Sequence, residues 1–168
     1  MNTLSIDIRN ASRSDASGIA ATHHESWRGA YAGIIPHTAL TKMIAQRGED
    51  WWVRALSRSA SVLVAEFGDE IVGYTTYGRN RTKELPQKGE VYELYLHPQY
   101  QGIGIGSRLF AAARQKLEDS HLNGTVVWAL EDNHIAQQFY AGHGGHDIAE
   151  GVEQLGGASF KKVAFVWA

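Results

Sequence analysis

The sequence predicts an α/β fold of the α+β kind: a central mixed, mostly antiparallel sheet with helices on both faces. Three observations predict it. Apolar residues alternate in some segments and recur every third or fourth position in others. The segment SVLVAEFGDEIVGYTTYG holds two β-rich runs around Gly68-Asp69, a hairpin signal. Between residues 91 and 130 a strand, a helix and a second strand follow one another, which calls for a right-handed crossover and a parallel pair.

Residues 5–9 alternate apolar and polar and read as a first strand. Ser12 or Ser14 is placed to cap a helix running through Ile19, His23 and Trp27. Pro36 suits the start of a second helix carrying Leu40, Met43 and Ile44. A third helix, 50–57, holds Trp51, Trp52, Val53 and Leu56. After the hairpin, the polar stretch 79–88 reads as a loop, and VYELYLHP as the next strand. The glycine run QGIGIG opens a helix through Leu109, Phe110, Ala113 and Leu117, and TVVWAL follows as a strand. Asn133 opens a last helix reaching Tyr140, and HDIAE and SFKKVAFVW close the chain as strands. Residues 1–168 read as one domain, without repeats or a linker.

Composition excludes several classes of function. The chain has no cysteine, so thiolate nucleophiles and cysteine-bound zinc are out. A formal charge of −2 gives no general attraction to nucleic acid or an acidic membrane. No apolar run has membrane-spanning length, and MNTLSIDIRN lacks a basic-then-apolar signal pattern; a cytoplasmic location is expected. His23-His24-Glu25 and His143-x-x-His146 lack metal-ligand spacing, so no metal is expected.

Leu96-His97-Pro98-Gln99-Tyr100-Gln101-Gly102-Ile103-Gly104-Ile105-Gly106-Ser107 carries the strongest chemical signal. A glycine turn running straight into a helix leaves backbone N–H groups and the positive end of the helix dipole facing outward, a cradle for phosphate. A dinucleotide fingerprint fails, because Ser107 stands where its third glycine belongs. A P-loop fails for want of a lysine before the Ser. What does match is Q-x-x-G-x-G, as Gln101, Gly104 and Gly106, behind a strand and a proline turn.

This pattern resembles the acyl-CoA pyrophosphate loop of the GNAT superfamily of N-acetyltransferases. Asn133-x-x-Ala136-x-x-Phe139-Tyr140, with Gly144 beyond, is similar to a second segment of that superfamily. One departure stands out: an aromatic usually follows that glycine, and here Gly145 does. ESWRGAYAGIIP and LGGASFKKVAFVW resemble a subgroup of small bacterial-type members, the phosphinothricin-acetyltransferase-like proteins. The resemblance spans nearly the whole chain and implies a GNAT-like acyl-CoA N-acyltransferase fold. It also implies acetyl-CoA as co-substrate and direct transfer to an amine of a small molecule or peptide. A homodimer is compatible with it.

The resemblance places coenzyme binding on Leu94, Leu96, Gln101, Gly102, Ile103, Gly104, Ile105, Gly106, Ser107 and Asn133. The strand around Leu94 to Leu96 would bond the pantetheine amides and offer an N–H to the developing oxyanion. Amide formation needs a neutral amine, from a group of pKa near ~10.4, and a proton for the departing thiolate of pKa about 8.5. Glu93 is the candidate base and Tyr140 the candidate acid. Trp27 and Tyr31, four apart on one helix, are candidate lining of the acceptor pocket. Two other functions fit the loop equally well: a non-catalytic acyl-CoA sensor, and acetylation of a protein N-terminus or lysine.

Overall fold

The computed structural model describes residues 5–168. β1 (Ile6–Asn10) leads into a 3₁₀ turn, Arg13–Asp15, and then α1 (Ala16–Tyr31). The turn is tight because the Ser12 N–H donates to the Asp15 carboxylate at 2.7 Å, which delays the α-helix to Ala16. Arg9 forks onto the same carboxylate at 2.8 and 2.9 Å and holds it below the usual aspartate range. α2 (His37–Ala45) starts behind Pro36 as expected, and α3 (Glu49–Ser57) starts one residue earlier than the sequence suggests.

β2 (Val62–Phe67) and β3 (Glu70–Arg79) form the expected hairpin, with Gly68 at φ +62° in the turn. β4 (Gly89–Leu96) precedes the glycine loop and α4 (Ile105–Asp119). β5 (Thr125–Leu130), α5 (His134–Gly142), β6 (His146–Leu155) and β7 (Ala158–Trp167) complete the chain. The seven strands make one sheet in the order β1-β2-β3-β4-β5-β7-β6. Neighbours are antiparallel except β4 and β5, the parallel pair anticipated across the crossover.

Both faces of the sheet are covered. In β2, Val62 and Val64 pack with Ile19 and Trp52 of α1 and α3, while Leu63 and Ala65 pack with Leu109, Phe110 and Ala113 of α4. A strand covered on both faces therefore reads as a continuous apolar run. Among the described residues no helix is long and apolar enough to cross a membrane.

The feature that makes a site is the failure of β4 and β5 to stay together. They pair only at Gly89–Thr125 and Glu90–Val126, and then diverge. On the β3 side, Thr76 pairs with Glu93 and Tyr77 with Val91, so Tyr92 is an extra residue in β4. This bulge bends the strand and resets its alternation. Val91, Leu94 and Leu96 all reach the α4 core, while Tyr95 turns to the α1 side.

Candidate active site

A cleft of about 470 Å³ opens where β4 and β5 separate. Its walls come from the end of α1, the second half of β4, the glycine loop, β5 and α5. At one end, Gly102 and Gly104 have φ of +80° and +92°, left-handed values that side-chain-bearing residues avoid. A β-carbon added at either would meet nothing within 4 Å, so the turn borders open space. The first intrahelical bond of α4 runs from the Arg108 N–H to the Gly104 carbonyl, which leaves the N–H groups of Ile105, Gly106 and Ser107 without helical partners. Gly106 has a different role from the turn glycines: a β-carbon there would press on Phe139 at 3.3 Å, so its bareness lets α4 approach α5.

Of the expected coenzyme residues, Gln101, Gly102, Gly104, Gly106, Ser107, Leu94, Leu96 and Asn133 all border this cleft. Ile105 is 2% exposed and sends its side chain into the core, so it offers only backbone. Ile103 projects into solvent at 66% exposure. Asn133 caps α5 by accepting from the Ala136 N–H at 3.2 Å. The cleft suits an acyl-CoA in its polarity: an anion cradle at one end, and bare strand edges beside it that need hydrogen-bond partners.

The cleft is also lined by side chains with exchangeable protons. Tyr140 is 6% exposed, and burial, aided by Tyr31, pushes its phenol well above the ordinary value. It therefore stays protonated, as a donor must. Tyr31 lines the cleft with its hydroxyl 2.5 Å from that of Tyr95. Trp27 does not reach the cleft wall; it stands behind, edge-on to Tyr31 at 5.2 Å and tilted against Tyr95 at 5.8 Å. That corrects its expected place as pocket lining.

Glu93 needs a larger correction. It borders the cleft, but both oxygens are gripped by the Arg47 guanidinium at 2.8 and 2.9 Å. Tyr74 and Thr76 each donate to it as well, at 3.2 Å. Four donors thus already occupy the carboxylate oxygens. Arg47, from the link between α2 and α3, is in turn stacked over Trp51 at 4.2 Å and Trp52 at 4.8 Å. The geometry describes an anchored ion pair, not a free base.

The family model described as acetyltransferase (GNAT) family matches residues 22–144, which include the glycine loop and the Asn133–Tyr140 segment. The chain belongs to this family. YuaI, an N-acetyltransferase of Bacillus subtilis (strain 168), is 28% identical over 162 residues, 96% of this chain and 92% of its own length. The spermidine N(1)-acetyltransferase of Thermoplasma acidophilum is 26% identical over 142 residues, 84% of this chain and 88% of its own. The crystal structure of PaiA N-acetyltransferase from T. acidophilum, in complex with coenzyme A, superposes with a TM-score of 0.74 at 22% identity. That match covers 95% of this chain and 98% of PaiA. YncA of Salmonella typhimurium, solved with acetyl-CoA, gives 0.67 at 17% identity, over 97% of this chain and 93% of its own. At such identities these likenesses speak for the fold.

Three residues of this GNAT acetyltransferase escaped the sequence reading. Arg47 and Tyr95 carry no local pattern. The sequence marks His143 only by its spacing to His146. It closes α5, stacks on Phe139 at 4.1 Å, and touches the Phe139 carbonyl through Nδ1 at 2.7 Å. That carbonyl can only accept, so Nδ1 bears a proton, and in the neutral imidazole Nε2 then accepts from the Ser107 hydroxyl at 2.7 Å. Ser107 is thereby held in the first turn of α4. His23 and His24 do not combine either: His23 is fully buried among Trp27, Trp52 and Tyr74.

Proposed function

We propose that this acetyltransferase passes the acetyl group of acetyl-CoA directly to the primary amine of a small molecule or peptide, with Tyr140 protonating the departing thiolate. The observation that carries the reading is a buried, protonated phenol in the same cleft as an open glycine cradle and two unpaired strand edges. Acetyl-CoA supplies an activated acetyl thioester. The α4 N-terminus holds the pyrophosphate, and the free edges of β4 and β5 align the extended amide arm. A backbone N–H near Leu94 to Leu96 faces the carbonyl oxygen as charge builds there. No protein nucleophile is required, in keeping with a chain that has no cysteine. Glu93 we assign to holding Arg47 and the β4 wall.

Chemistry narrows the acceptor. Among the described residues that line the cleft, Glu93 is the one carboxylate, and Arg47 already neutralises it. The remaining acceptor-side wall is mostly aromatic and neutral, including Tyr31, Tyr92 and Trp128. This favours an amine with a compact, uncharged or aromatic body over a polycation. The name of the Thermoplasma relative makes spermidine the instructive competitor. Likeness of ESWRGAYAGIIP and LGGASFKKVAFVW to phosphinothricin-acetyltransferase-like proteins adds phosphinothricin to the candidates. A homodimer is supported by the outer strand β6, which ends the sheet with Ile148 and Val152 exposed.

The test is free-thiol release from acetyl-CoA with benzylamine, spermidine, phosphinothricin and a lysine-containing peptide. Turnover fastest with benzylamine supports the neutral-pocket reading, and turnover fastest with spermidine overturns it. Tight acetyl-CoA binding with no turnover of any amine would favour a sensor.

A further inference from the structure

An anion held at the start of α4 needs donors. The backbone offers the N–H groups of Ile105, Gly106 and Ser107, which have no helical partner. The same turn adds the Ser107 hydroxyl, which borders the cleft. That hydroxyl is not free. Its oxygen lies 2.7 Å from Nε2 of His143, another cleft-lining side chain, whose Nδ1 is 2.7 Å from the Phe139 carbonyl. The imidazole thus joins two helix ends of opposite sign. One is the C-terminus of α5, which His143 closes; the other is the N-terminus of α4, which it reaches through Ser107.

A serine hydroxyl has a single hydrogen, and the charge of His143 decides where it points. With Nδ1–H committed to the Phe139 carbonyl, a neutral ring has a bare Nε2, so the Ser107 hydrogen turns to it. The Ser107 oxygen then shows the cleft only lone pairs, which repel a phosphate oxygen. A doubly protonated ring reverses the chain. Its Nε2–H donates to the Ser107 oxygen, and the Ser107 hydrogen is released to point into the cleft. This second arrangement gives an anion a donor at that atom and sets a positive charge one side chain behind it. The heavy atoms keep their places in both, so the change needs only a proton and a turn of the hydroxyl.

We propose that His143 positions acetyl-CoA in its doubly protonated form: its imidazolium donates to the Ser107 oxygen, the Ser107 hydroxyl donates to the pyrophosphate, and binding draws a proton onto the ring. The inference rests on the reading of the glycine turn as the coenzyme's phosphate cradle. The proton comes from the buffer and returns to it when the coenzyme leaves. Because the anion favours the charged ring, coenzyme and proton raise each other's affinity by the same factor. His143 is a positioning residue, since it acts on the coenzyme through Ser107. The ionisable groups on the elements around the ring are Arg108 and Arg114 on α4, Tyr140 on α5 and His146 at the start of β6. Arg114 stands over Phe110 and Trp167, and Tyr140 packs on the same two rings. None of these side chains bonds to the imidazole, whose nitrogens meet Phe139 and Ser107. β7 presents Trp167, which does not titrate, and Glu93 in the cleft wall is paired with Arg47.

Calorimetry of acetyl-CoA binding near neutral pH, in buffers of different ionisation enthalpy, counts the protons taken up. Wild type should take up more than His143→Gln, whose amide can still donate to Ser107 but carries no charge. The coenzyme's own phosphate monoester titrates at a pKa of about 6, but that contribution is common to both proteins and cancels. Across the pH range of about 5 to 8 where imidazoles titrate, wild-type affinity should gain about tenfold over His143→Gln as pH falls, the lower end for a hydrogen bond to a charged group. Ser107→Ala, which interrupts the chain, should lose most of that gain. In wild type, the His143 ring resonances should titrate at higher pH with acetyl-CoA bound than without it. Equal proton uptake in wild type and His143→Gln overturns the inference, as does a ring titration that the coenzyme leaves unmoved. A His143→Gln that loses affinity equally at every pH also overturns it and makes the ring a packing group. If that variant fails to fold, the wild-type ring titration decides alone. A wild type that does not bind acetyl-CoA, or binds it equally well after Gly104→Asp, instead sinks the cradle reading.

Discussion

Arg47→Ala tests the idea that Glu93 serves the architecture of the cleft and not its proton chemistry. The substitution removes two charge-assisted bonds, at 2.8 and 2.9 Å, and three ring contacts, at 4.2, 4.8 and 5.8 Å. Stranding one member of a buried pair costs ~3–5 kcal/mol. The lower end, about 3 kcal/mol, applies here, because Tyr74 and Thr76 keep donating to the carboxylate. The side chains are also 19% and 16% exposed, so water reaches the vacated place. Lost stacking on Trp51 and Trp52 adds about 1 kcal/mol. In a domain of this size each kcal/mol moves the melting temperature by about 2–4 °C, so the expected fall is ~8–16 °C. Thermal unfolding followed by circular dichroism measures it. A double-mutant cycle with Glu93→Gln should return a coupling of about 2 kcal/mol. If the pair is only an anchor, Glu93→Gln should lower stability while the shape of the pH–rate profile is kept. An unchanged melting temperature in Arg47→Ala, or a cycle without coupling, would refute the anchored pair. Turnover lost mainly at low pH in Glu93→Gln would restore Glu93 as the base.

The other predictions concern the cradle, the acid and the buried histidine. Gly104→Asp puts a β-carbon on a left-handed residue and a negative charge beside the phosphate cradle, so calorimetry should find acetyl-CoA binding abolished in a protein that still folds. Tyr140→Phe should cut kcat and kcat/KM together by at least ~10²-fold while acetyl-CoA still binds; steady-state kinetics decide, and a near-wild-type kcat would leave the thiolate to depart unaided. Burial pushes the His23 imidazole down to about 3 from 6.5, with the Arg47 charge adding to it. Between those values the unfolded chain binds a proton that the fold refuses, so stability should fall as pH drops from 6.5 towards 3, by up to about 1.4 kcal/mol per pH unit. His23→Leu should flatten that limb, and denaturant titrations at stepped pH will show it.

The parts of this fold legible in the sequence are those decided locally. Pro36, Gly68-Asp69 and Asn133 each act on their own few residues, through a fixed φ, a left-handed turn and a side-chain cap, and the elements they bound appear where expected. The glycine turn proposed as a phosphate cradle is legible for the same reason, since it and the helix it feeds are contiguous. Glu93 and Trp27 went astray because their environments are set by residues distant in sequence. Glu93 meets Arg47, 46 positions away, and that contact turns a plausible base into an anchor. Trp27 and Tyr31 do share a face of α1, but packing against Tyr95 decides which ring reaches the cleft. Periodicity names a face; it does not order the layers behind it.

Gly145 shows the same limit from the opposite direction. An aromatic is usual after Gly144 in the resembling superfamily, and Gly145 leaves that volume beside α5 to be filled from elsewhere. No gap exists, because Trp167 arrives from β7, 22 residues further along the chain. A β-carbon on Gly145 would collide with the Trp167 ring at 2.6 Å, so the indole fills the place a side chain there would claim. The ring is fixed by its Nε1–H, which donates to the His143 carbonyl at 2.9 Å, and by Phe110 at 4.9 Å. His143 in turn holds Ser107 at the start of α4. The last strand of the chain is thereby linked, through one indole and one imidazole, to the loop expected to carry the pyrophosphate. A departure that looked like a weakness in the resemblance is a relocation: the aromatic volume comes from a different strand, and the bare residue is the condition for it.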